Sequence, residues 1–214
     1  FNYDLWLGPA PQAAYAPARC HVNFRWNLDY SGGQLTDWGG HHPDIAQWGM
    51  GTERTGPVAI RNARGVYPPR SELWNTAGEF SFECHYSNGV VLVISDKNEM
   101  GVTFEGTEGS IFVTRGKYRT NPSTLWDSQI GDTETRLYAS DDHFRNFIDS
   151  VLSRKEPIAP CEIAHRSITL AHLGNIAMQL GRDLKWDPKR ERFVKDDEAN
   201  RMLTRPYRGP WKLG

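Results

Sequence analysis

The chain has 214 residues and a formal net charge of −1, with 25 basic residues against 26 acidic ones. This length allows one hydrophobic core, and the balanced charge gives no reason to expect nucleic acid or an anionic membrane as a partner. No apolar run approaches the roughly 18 residues that a membrane helix needs. The three widely spaced cysteines, Cys20, Cys84 and Cys161, predict small buried side chains rather than a disulfide framework or a zinc motif.

The chain begins at Phe1 with an aromatic and proline-rich segment. We expect this segment to be a loop in which Trp6 and residues 8–11 contribute either to a pocket wall or to a subunit contact. Residues 20–30 then alternate apolar and polar side chains, which predicts a half-buried strand.

Five more runs with strand-like composition follow, separated by short turns. They predict one antiparallel sheet with strands at residues 58–67, 80–86, 90–96, 101–106 and 110–116. Residues 87–89 and 106–109 have the composition of hairpin connectors. Because residues 80–86 and 90–96 are apolar on both alternations, we expect both faces of the sheet to be covered, one of them by another subunit.

Two amphipathic helices are predicted after these strands. Residues 141–157 carry apolar side chains at helical spacing, with Asp141 able to cap the start and Pro157 ending the run. Residues 162–182 repeat the pattern, and Gly181 is placed as the C-terminal cap.

Residues 185–214 predict a small hairpin around Pro188, a short helix from about Asp197 and an irregular arm, with the basic residues 189–192 in solvent. The sequence therefore predicts an α+β fold in which an open, mainly antiparallel sheet carries helices on one face. Residues 1–184 form the domain, and the C-terminal segment is appended to it.

The segment most suggestive of chemistry is residues 31–51, "SGGQLTDWGGHHPDIAQWGMG". A helix that begins near Asp37 would place four residues on one face: Asp37, His41, Asp44 and Trp48. A histidine between two carboxylates can exchange a proton with a substrate hydroxyl, because a carboxylate orients the ring and stabilises its charged form. The neighbouring glycines would let a ligand or another backbone approach closely.

Two other interpretations of this segment are open. In the first, Asp37 only caps the helix and His41 is a hydrogen-bonded polar residue under the sheet. The second is a metal site at His41, His42 and Asp44, which helical geometry disfavours because adjacent residues point about 100° apart. We therefore predict no metal.

Several blocks, taken together and in order, resemble the C-terminal domain of the Gfo/Idh/MocA oxidoreductases, most closely the branch found in Planctomycetes and Bacteroidetes. The blocks are "YDLWLGPAP", "RWNLDYSGGQLTDWGGHHPDIAQWGMG", "GTEGSIFV" and "HFRNFIDSVLSRKEPIAPCEIAHRSITLAHLGNIAMQLGRDLKWDP". Their ordered combination is specific, and the likeness covers nearly the whole chain.

The resemblance implies a two-domain enzyme in which a Rossmann domain binds NAD or NADP and the α/β domain carries substrate residues and subunit contacts. The Asp-x-x-x-His pattern of the family falls on Asp37 and His41, which implies that His41 transfers the proton and Asp37 is its partner. Asp44 matches the acid that commonly follows. The implied substrate is a sugar, a polyol or a related hydroxyl compound, and the implied assembly is a homo-oligomer.

Further residues are candidates for the substrate pocket. Arg25, Trp26 and Tyr30 lead into the glycine turn, with packing as an equally open role. His165 lies on one face of the second long helix, together with Thr169 and His172. Histidines on helices more often pack or form hydrogen bonds in the core. The candidates in this group are Arg25, Trp26, Tyr30 and His165.

The sequence also departs from the family. It has no G-x-G-x-x-G fingerprint after a strand and no Glu-Lys-Pro motif, and the context of Lys97 does not match that lysine. Gln34 stands where many relatives have a third glycine. The family's first strand of this domain would precede Phe1, so we expect a C-terminal fragment that is inactive alone and binds no cofactor by itself.

A second function is open for the same fold, namely a stand-alone, non-catalytic module for carbohydrate binding or dimerisation. The compartment is also open, since many relatives of that branch carry twin-arginine export signals while others are expected in the cytoplasm.

Overall fold

Eight strands form two separate antiparallel sheets in the computed structural model, which describes residues 1–212. In chain order the strands are β1 (Ala59–Val66), β2 (Glu79–His85), β3 (Val91–Ser95), β4 (Val102–Gly106), β5 (Gly109–Thr114), β6 (Lys117–Asn121), β7 (Leu184–Asp187) and β8 (Arg192–Phe193). The larger sheet has the order β3-β2-β1-β7-β8, and the smaller one has the order β4-β5-β6.

Six α-helices accompany the sheets in the described part of the chain. They are α1 (Tyr3–Leu7), α2 (Gln34–Gly39), α3 (His42–Gly49), α4 (His143–Ser153), α5 (Cys161–Leu180) and α6 (Asp197–Arg201). The structure confirms the fold class predicted from the sequence, an α+β fold with antiparallel strands and helices packed against them. The hairpin predicted near Pro188 is β7 and β8, which extend the larger sheet.

The core lies between α5 and the larger sheet. Phe82 on β2 is fully buried, and a Cβ on Gly174 of α5 would lie 2.2 Å from its ring. Only glycine permits this close approach of helix and strand. Burial of a phenylalanine side chain stabilises a fold by about 1.5–3 kcal/mol. The helix ends at Gly181, whose φ of +64° and N–H bond to the Ala177 carbonyl confirm the predicted cap.

The prediction of a single sheet is wrong, because β4 to β6 pair only with one another. The smaller sheet lies instead on α3, where the Phe104 ring covers Gly49. A Cβ on Gly49 would lie 2.4 Å from that ring, so the glycine is what allows the sheet to dock there. The predicted turns at 87–89 and 106–109 are confirmed as hairpin connections.

Residues 20–30 form no strand, contrary to the sequence prediction. The chain adopts a 3-10 helix at His21–Trp26, and Val22 and Phe24 remain exposed. The side chain of Asn27 ends this helix, since it donates to the Leu73 carbonyl at 2.9 Å and accepts from the Asp29 N–H at 2.9 Å. These contacts bend the chain where a strand would continue.

Helix α4 forms where it was predicted, but nothing in the described chain covers its apolar face. Phe144 is 83% exposed, and no α4 residue is buried. Its cap is Asp142, which accepts from the Arg145 N–H at 2.9 Å, rather than Asp141. The helix ends at Ser153, before Pro157, with Arg154 in the left-handed region.

Two of the three cysteines follow the prediction of burial. Cys20 and Cys84 are buried, whereas Cys161 is exposed at the first position of α5. None of the described helices is long and apolar enough to cross a bilayer.

The outer face of the larger sheet, opposite α5, is more polar than predicted. Val93 on β3 is exposed there, but its row across the sheet continues through Glu83 and Arg61. His85 bonds Glu83 on the same strand at 2.8 Å. As expected, β3 therefore has apolar residues on both of its faces, whereas β2 has polar residues on its outer face.

Candidate functional site

The segment that carries the predicted catalytic residues forms two short helices rather than one. Helix α2 ends at Gly39, and α3 begins at His42 after a two-residue junction. Pro43 explains the break, because it has no N–H to donate to the preceding turn. The prediction that Asp37, His41 and Asp44 share one helix face is therefore wrong, although Pro43 was a visible signal against it.

His41 lies at this junction and is exposed to solvent. Its backbone N–H donates to the Trp38 carbonyl at 2.9 Å, and its ring lies edge-on to the Trp38 indole with centroids 5.5 Å apart. Within residues 1–212, no hydrogen bond occupies either nitrogen of the ring. The imidazole is therefore held by its backbone and by one aromatic contact, with both nitrogens free for a ligand.

Asp37 is paired with an arginine and does not cap a helix. Gly33 is the residue at the N-cap of α2, and the Asp37 N–H donates to its carbonyl at 3.0 Å. The Asp37 carboxylate accepts from Arg25 Nη1 at 2.6 Å. The alternative interpretation of Asp37 as a helix cap is wrong. Because Arg25 comes from the 3-10 helix, this ion pair joins two segments predicted to belong to one site.

Asp44 anchors α3 to α5. Its Oδ1 accepts a hydrogen bond of 2.5 Å from the hydroxyl of Ser167, which is buried at the centre of the helix contact. Asp44 stays a predicted substrate residue, but the contact seen here is structural. No hydrogen bond in the described structure links His41 to Asp37 or Asp44.

The glycines of this segment serve packing against other parts of the chain. A Cβ on Gly33, whose φ is +70°, would lie 2.4 Å from the Thr76 hydroxyl, and a Cβ on Gly39 would lie 2.8 Å from Ala171 of α5. Both positions therefore need glycine to bring α2 onto its neighbours. The space that the glycines were expected to leave for a ligand is occupied by the side chains of Thr76 and Ala171.

Trp26 and Tyr30 lie beside α2 but face different neighbours. The Trp26 carbonyl accepts from the Asn75 N–H at 2.9 Å, while its ring lies 5.4 Å from the Arg25 guanidinium. Tyr30 contacts the Trp6 indole with centroids 4.9 Å apart. Burial raises the pKa of the Tyr30 phenol above its ordinary value. Tyr30 is thus packed against Trp6 of helix α1.

His165 bonds to the C-terminal hairpin. Its Nε2 lies 2.7 Å from Glu191 Oε1, and Arg166 contacts the same carboxylate oxygen at 2.8 Å. The structure therefore joins His165 to the connection between β7 and β8. Thr169 donates to the His165 carbonyl within the helix, and His172 is exposed.

Two residues that the sequence did not single out, Trp38 and Arg115, lie beside the junction. Trp38 contacts His41 and stacks on His42, with centroids 5.2 Å apart and planes 17° apart. The Arg115 guanidinium lies 5.1 Å from the same indole. Burial, followed by the positive charges of His41 and Arg115, lowers the pKa of His42. Arg115 is far from this segment in sequence, so no local pattern could have assigned it.

The described residues form neither a metal-ligand cluster nor a dinucleotide-binding turn. In the described chain, no three His, Cys, Asp or Glu side chains are grouped as metal ligands. A dinucleotide needs a parallel strand, a glycine-rich turn and a helix N-terminus around its pyrophosphate. The described sheets are antiparallel, so these residues do not fit that cofactor.

Two clefts lie elsewhere on the chain. One lies beside α4 and includes Phe144, Phe147 and Pro157. The other lies on the smaller sheet and includes Phe112 and Arg119. Neither cleft is lined by Asp37, His41 or Asp44.

Comparison with known protein families gives a match over almost the whole chain. The profile of the Gfo/Idh/MocA oxidoreductase family, C-terminal alpha/beta domain, matches residues 1–213. The chain belongs to this family. No curated protein sequence matches it at a significant level.

Two solved structures match this chain over part of their own length. An NAD-binding protein from Listeria innocua matches with 14% identity and a TM-score of 0.50, over 83% of this chain and 55% of its own. An oxidoreductase from Thermotoga maritima matches with 18% identity and a TM-score of 0.47, over 82% of this chain and 51% of its own. The chain therefore spans about half the length of these two structures.

Proposed function

We propose that this domain binds the substrate of an NAD(P)-dependent oxidoreductase that acts on a hydroxyl group of a sugar, a polyol or a related compound. The observation that supports this most directly is the exposed His41 imidazole, fixed at the α2–α3 junction with both nitrogens unbonded within the described chain. Imidazole exchanges protons near neutral pH, as removal of a hydroxyl proton requires.

In this proposal His41 takes the proton from the substrate hydroxyl. Asp37 on α2 forms an ion pair with Arg25 through its Oδ2, which leaves its Oδ1 outside the contact to Arg25 Nη1. Asp37 is proposed to support the positive charge that His41 acquires. Asp44, through Ser167, positions the helix that follows His41.

The cofactor is proposed to be NAD or NADP, bound by a part of the protein outside this sequence. The described residues provide no dinucleotide site, and the Listeria protein with a similar fold is described as NAD-binding. When bound, the nicotinamide supplies the hydride acceptor. Calorimetric titration of this chain alone should show no NAD affinity in the submillimolar range, and such affinity would require a different cofactor site.

The proposal is tested with His41→Asn in the protein that includes the coding sequence upstream of Phe1. We expect turnover to fall by about 10²–10⁴, the usual contribution of a positioned general base, with NAD affinity nearly unchanged. His143→Asn, at the exposed start of α4, is the matched control and should retain full turnover. NADH formation with polyol and sugar substrates is the measurement.

Equal turnover in both histidine variants would reject the catalytic role of His41. The upstream reading frame provides an independent test. A G-x-G-x-x-G and a Glu-Lys-Pro block there would support the dehydrogenase, whereas a start codon near Phe1 would favour the non-catalytic module.

We further propose that the outer face of the larger sheet contacts another subunit. Its exposed Val91 and Val93 support this, while the Arg61–Glu83 row would make the contact partly polar. Light scattering should show an oligomer at micromolar concentration. A strict monomer would reject this assembly.

A further inference from the structure

Arg115 lies at the tip of the hairpin between β5 and β6. Thr114 and Lys117 are paired, so Arg115 and Gly116 form a two-residue turn, with Gly116 at a φ of +71°. The turn carries the Arg115 guanidinium to within 5.1 Å of the Trp38 ring centroid. The His41 ring centroid lies 5.5 Å from that of the same indole, so the guanidinium and the imidazole both lie beside Trp38.

The position of this hairpin is fixed by more than the arginine. Phe104, on the neighbouring strand β4, lies against Gly49 at the other end of α3, where a larger residue would clash. The smaller sheet therefore contacts the site segment at two points, through Phe104 and through Arg115. The tip would remain near the α2–α3 junction without the guanidinium.

Arg115 differs from Arg25 and Arg119 in forming no ion pair with an acidic side chain within residues 1–212. Arg25 is paired with Asp37. Arg119, on the same small sheet, also lies over an aromatic ring, 4.2 Å from Phe112, but its guanidinium makes two bonds to Glu99 at 2.9 and 2.6 Å. Arg115 is an exposed residue.

We infer that Arg115 binds an anionic group of the substrate, so that the site at His41 takes an acidic sugar or another hydroxy acid in preference to a neutral sugar. This inference rests on the proposed role of His41. A planar guanidinium donates two parallel hydrogen bonds to a carboxylate or a phosphate, which a neutral hydroxyl cannot accept in the same way. The shared chemistry is an oxyanion on the compound whose hydroxyl faces His41.

The competing role for Arg115 is purely structural, a cation–π contact that holds the hairpin on Trp38. The matched pair of variants that separates the roles is Arg115→Gln and Arg119→Gln. Both variants remove a cation of the smaller sheet from an aromatic ring, Trp38 for Arg115 and Phe112 for Arg119, but only Arg115→Gln removes the cation that has no acidic partner. Arg115→Lys retains the charge without the planar fork and should recover part of the binding.

The experiment is an NMR titration of the labelled chain, following the imidazole signals of His41 and His42 and the Nε–H of Arg115. The probes are D-glucuronate, a glucose monophosphate, D-glucose and myo-inositol at constant ionic strength. We expect at least one acid to bind about tenfold more tightly than the neutral compounds, as one charge-assisted interaction allows. Arg115→Gln should abolish this preference, and Arg119→Gln should preserve it. The two acids distinguish carboxylate from phosphate.

The pKa of His42 in the two variants, measured without added ligand, provides a second test. Burial is the main cause of the lowered pKa of His42, and the charge of Arg115 lowers it further. Arg115→Gln should therefore raise that pKa, and Arg119→Gln should leave it unchanged. A raised pKa in Arg115→Gln alone would show that the cation faces the junction in solution, and equal pKa values in both variants would count against it.

The outcomes separate the two proposals. Neutral sugars that shift His41 as strongly as the acids, or a preference that survives Arg115→Gln, would overturn the role of Arg115 while leaving that of His41 intact. Acids that shift Arg115 but not His41 would preserve the anion site and reject the substrate site at His41. Absence of any saturable shift would overturn the inference.

Discussion

Helices α4 and α5 have similar sequence patterns and very different surroundings. Both show apolar residues at helical spacing, and both end at a residue in the left-handed region. Yet α5 is packed against the larger sheet, whereas none of the eleven residues of α4 is buried in the described structure. Periodicity thus identifies a helix with an apolar face, but it does not identify the surface that covers that face.

The largest expected difference between the helices comes from their phenylalanine contacts. Phe82→Ala removes the ring that α5 covers and should lower the free energy of unfolding by about 3–5 kcal/mol. Phe144→Ala on α4 should change it by no more than about 0.5 kcal/mol. Urea denaturation of both variants is the measurement. A loss of more than about 1 kcal/mol in the free energy of unfolding of Phe144→Ala would show that another surface covers α4 in solution.

A smaller effect is expected from adding a methyl group at a helix–sheet contact. Gly174→Ala places a Cβ 2.2 Å from the Phe82 ring, so we expect a loss of about 1–3 kcal/mol in the free energy of unfolding. Gly40→Ala is the control. A Cβ there has 3.7 Å to its nearest neighbour and a backbone in the right-handed helical region, so a stabilisation of about 0.4–1 kcal/mol is expected. Equal effects would mean that α5 can move away from the sheet at little cost.

The smallest global effect should come from the caps. Asp142→Ala removes a cap worth about 1 kcal/mol from α4, which should speed amide exchange in residues 143–153 while leaving the melting temperature almost unchanged. Gly181→Ala should cost a similar amount, but as global stability, because α5 is part of the core. Hydrogen exchange and thermal melting distinguish the two. A clear drop in melting temperature for Asp142→Ala would show that α4 unfolds together with the core.

Local sequence was sufficient for many elements of this fold. The apolar spacing and Gly181 predicted α5 with its end, because a glycine cap depends only on neighbouring backbone. The turns at 87–89 and 106–109 were predicted for the same reason. The order of several motifs also indicated the family, which the match over residues 1–213 confirms.

The local signals failed where a contact from elsewhere decided the outcome. The alternation of residues 20–30 favoured a strand, but Asn27 bonds to residue Leu73 and the segment coils into a 3-10 helix. The runs at 101–106 and 110–116 were correctly predicted as strands, yet their composition does not specify which strands pair. Contact of Phe104 with Gly49 places them on α3 instead of on the larger sheet.

The candidate site shows the same division. The sequence alone places His41 in a glycine-rich segment between two acids, and it contains Pro43, the residue that explains the break between α2 and α3. The partners of these residues follow from contacts between distant segments. Asp37 forms an ion pair with Arg25, Asp44 accepts a hydrogen bond from Ser167, and the Trp38 ring contacts Arg115. The physical reason is that helix and strand periods arise from neighbouring residues, whereas ion pairs and ring contacts depend on where distant segments come to lie.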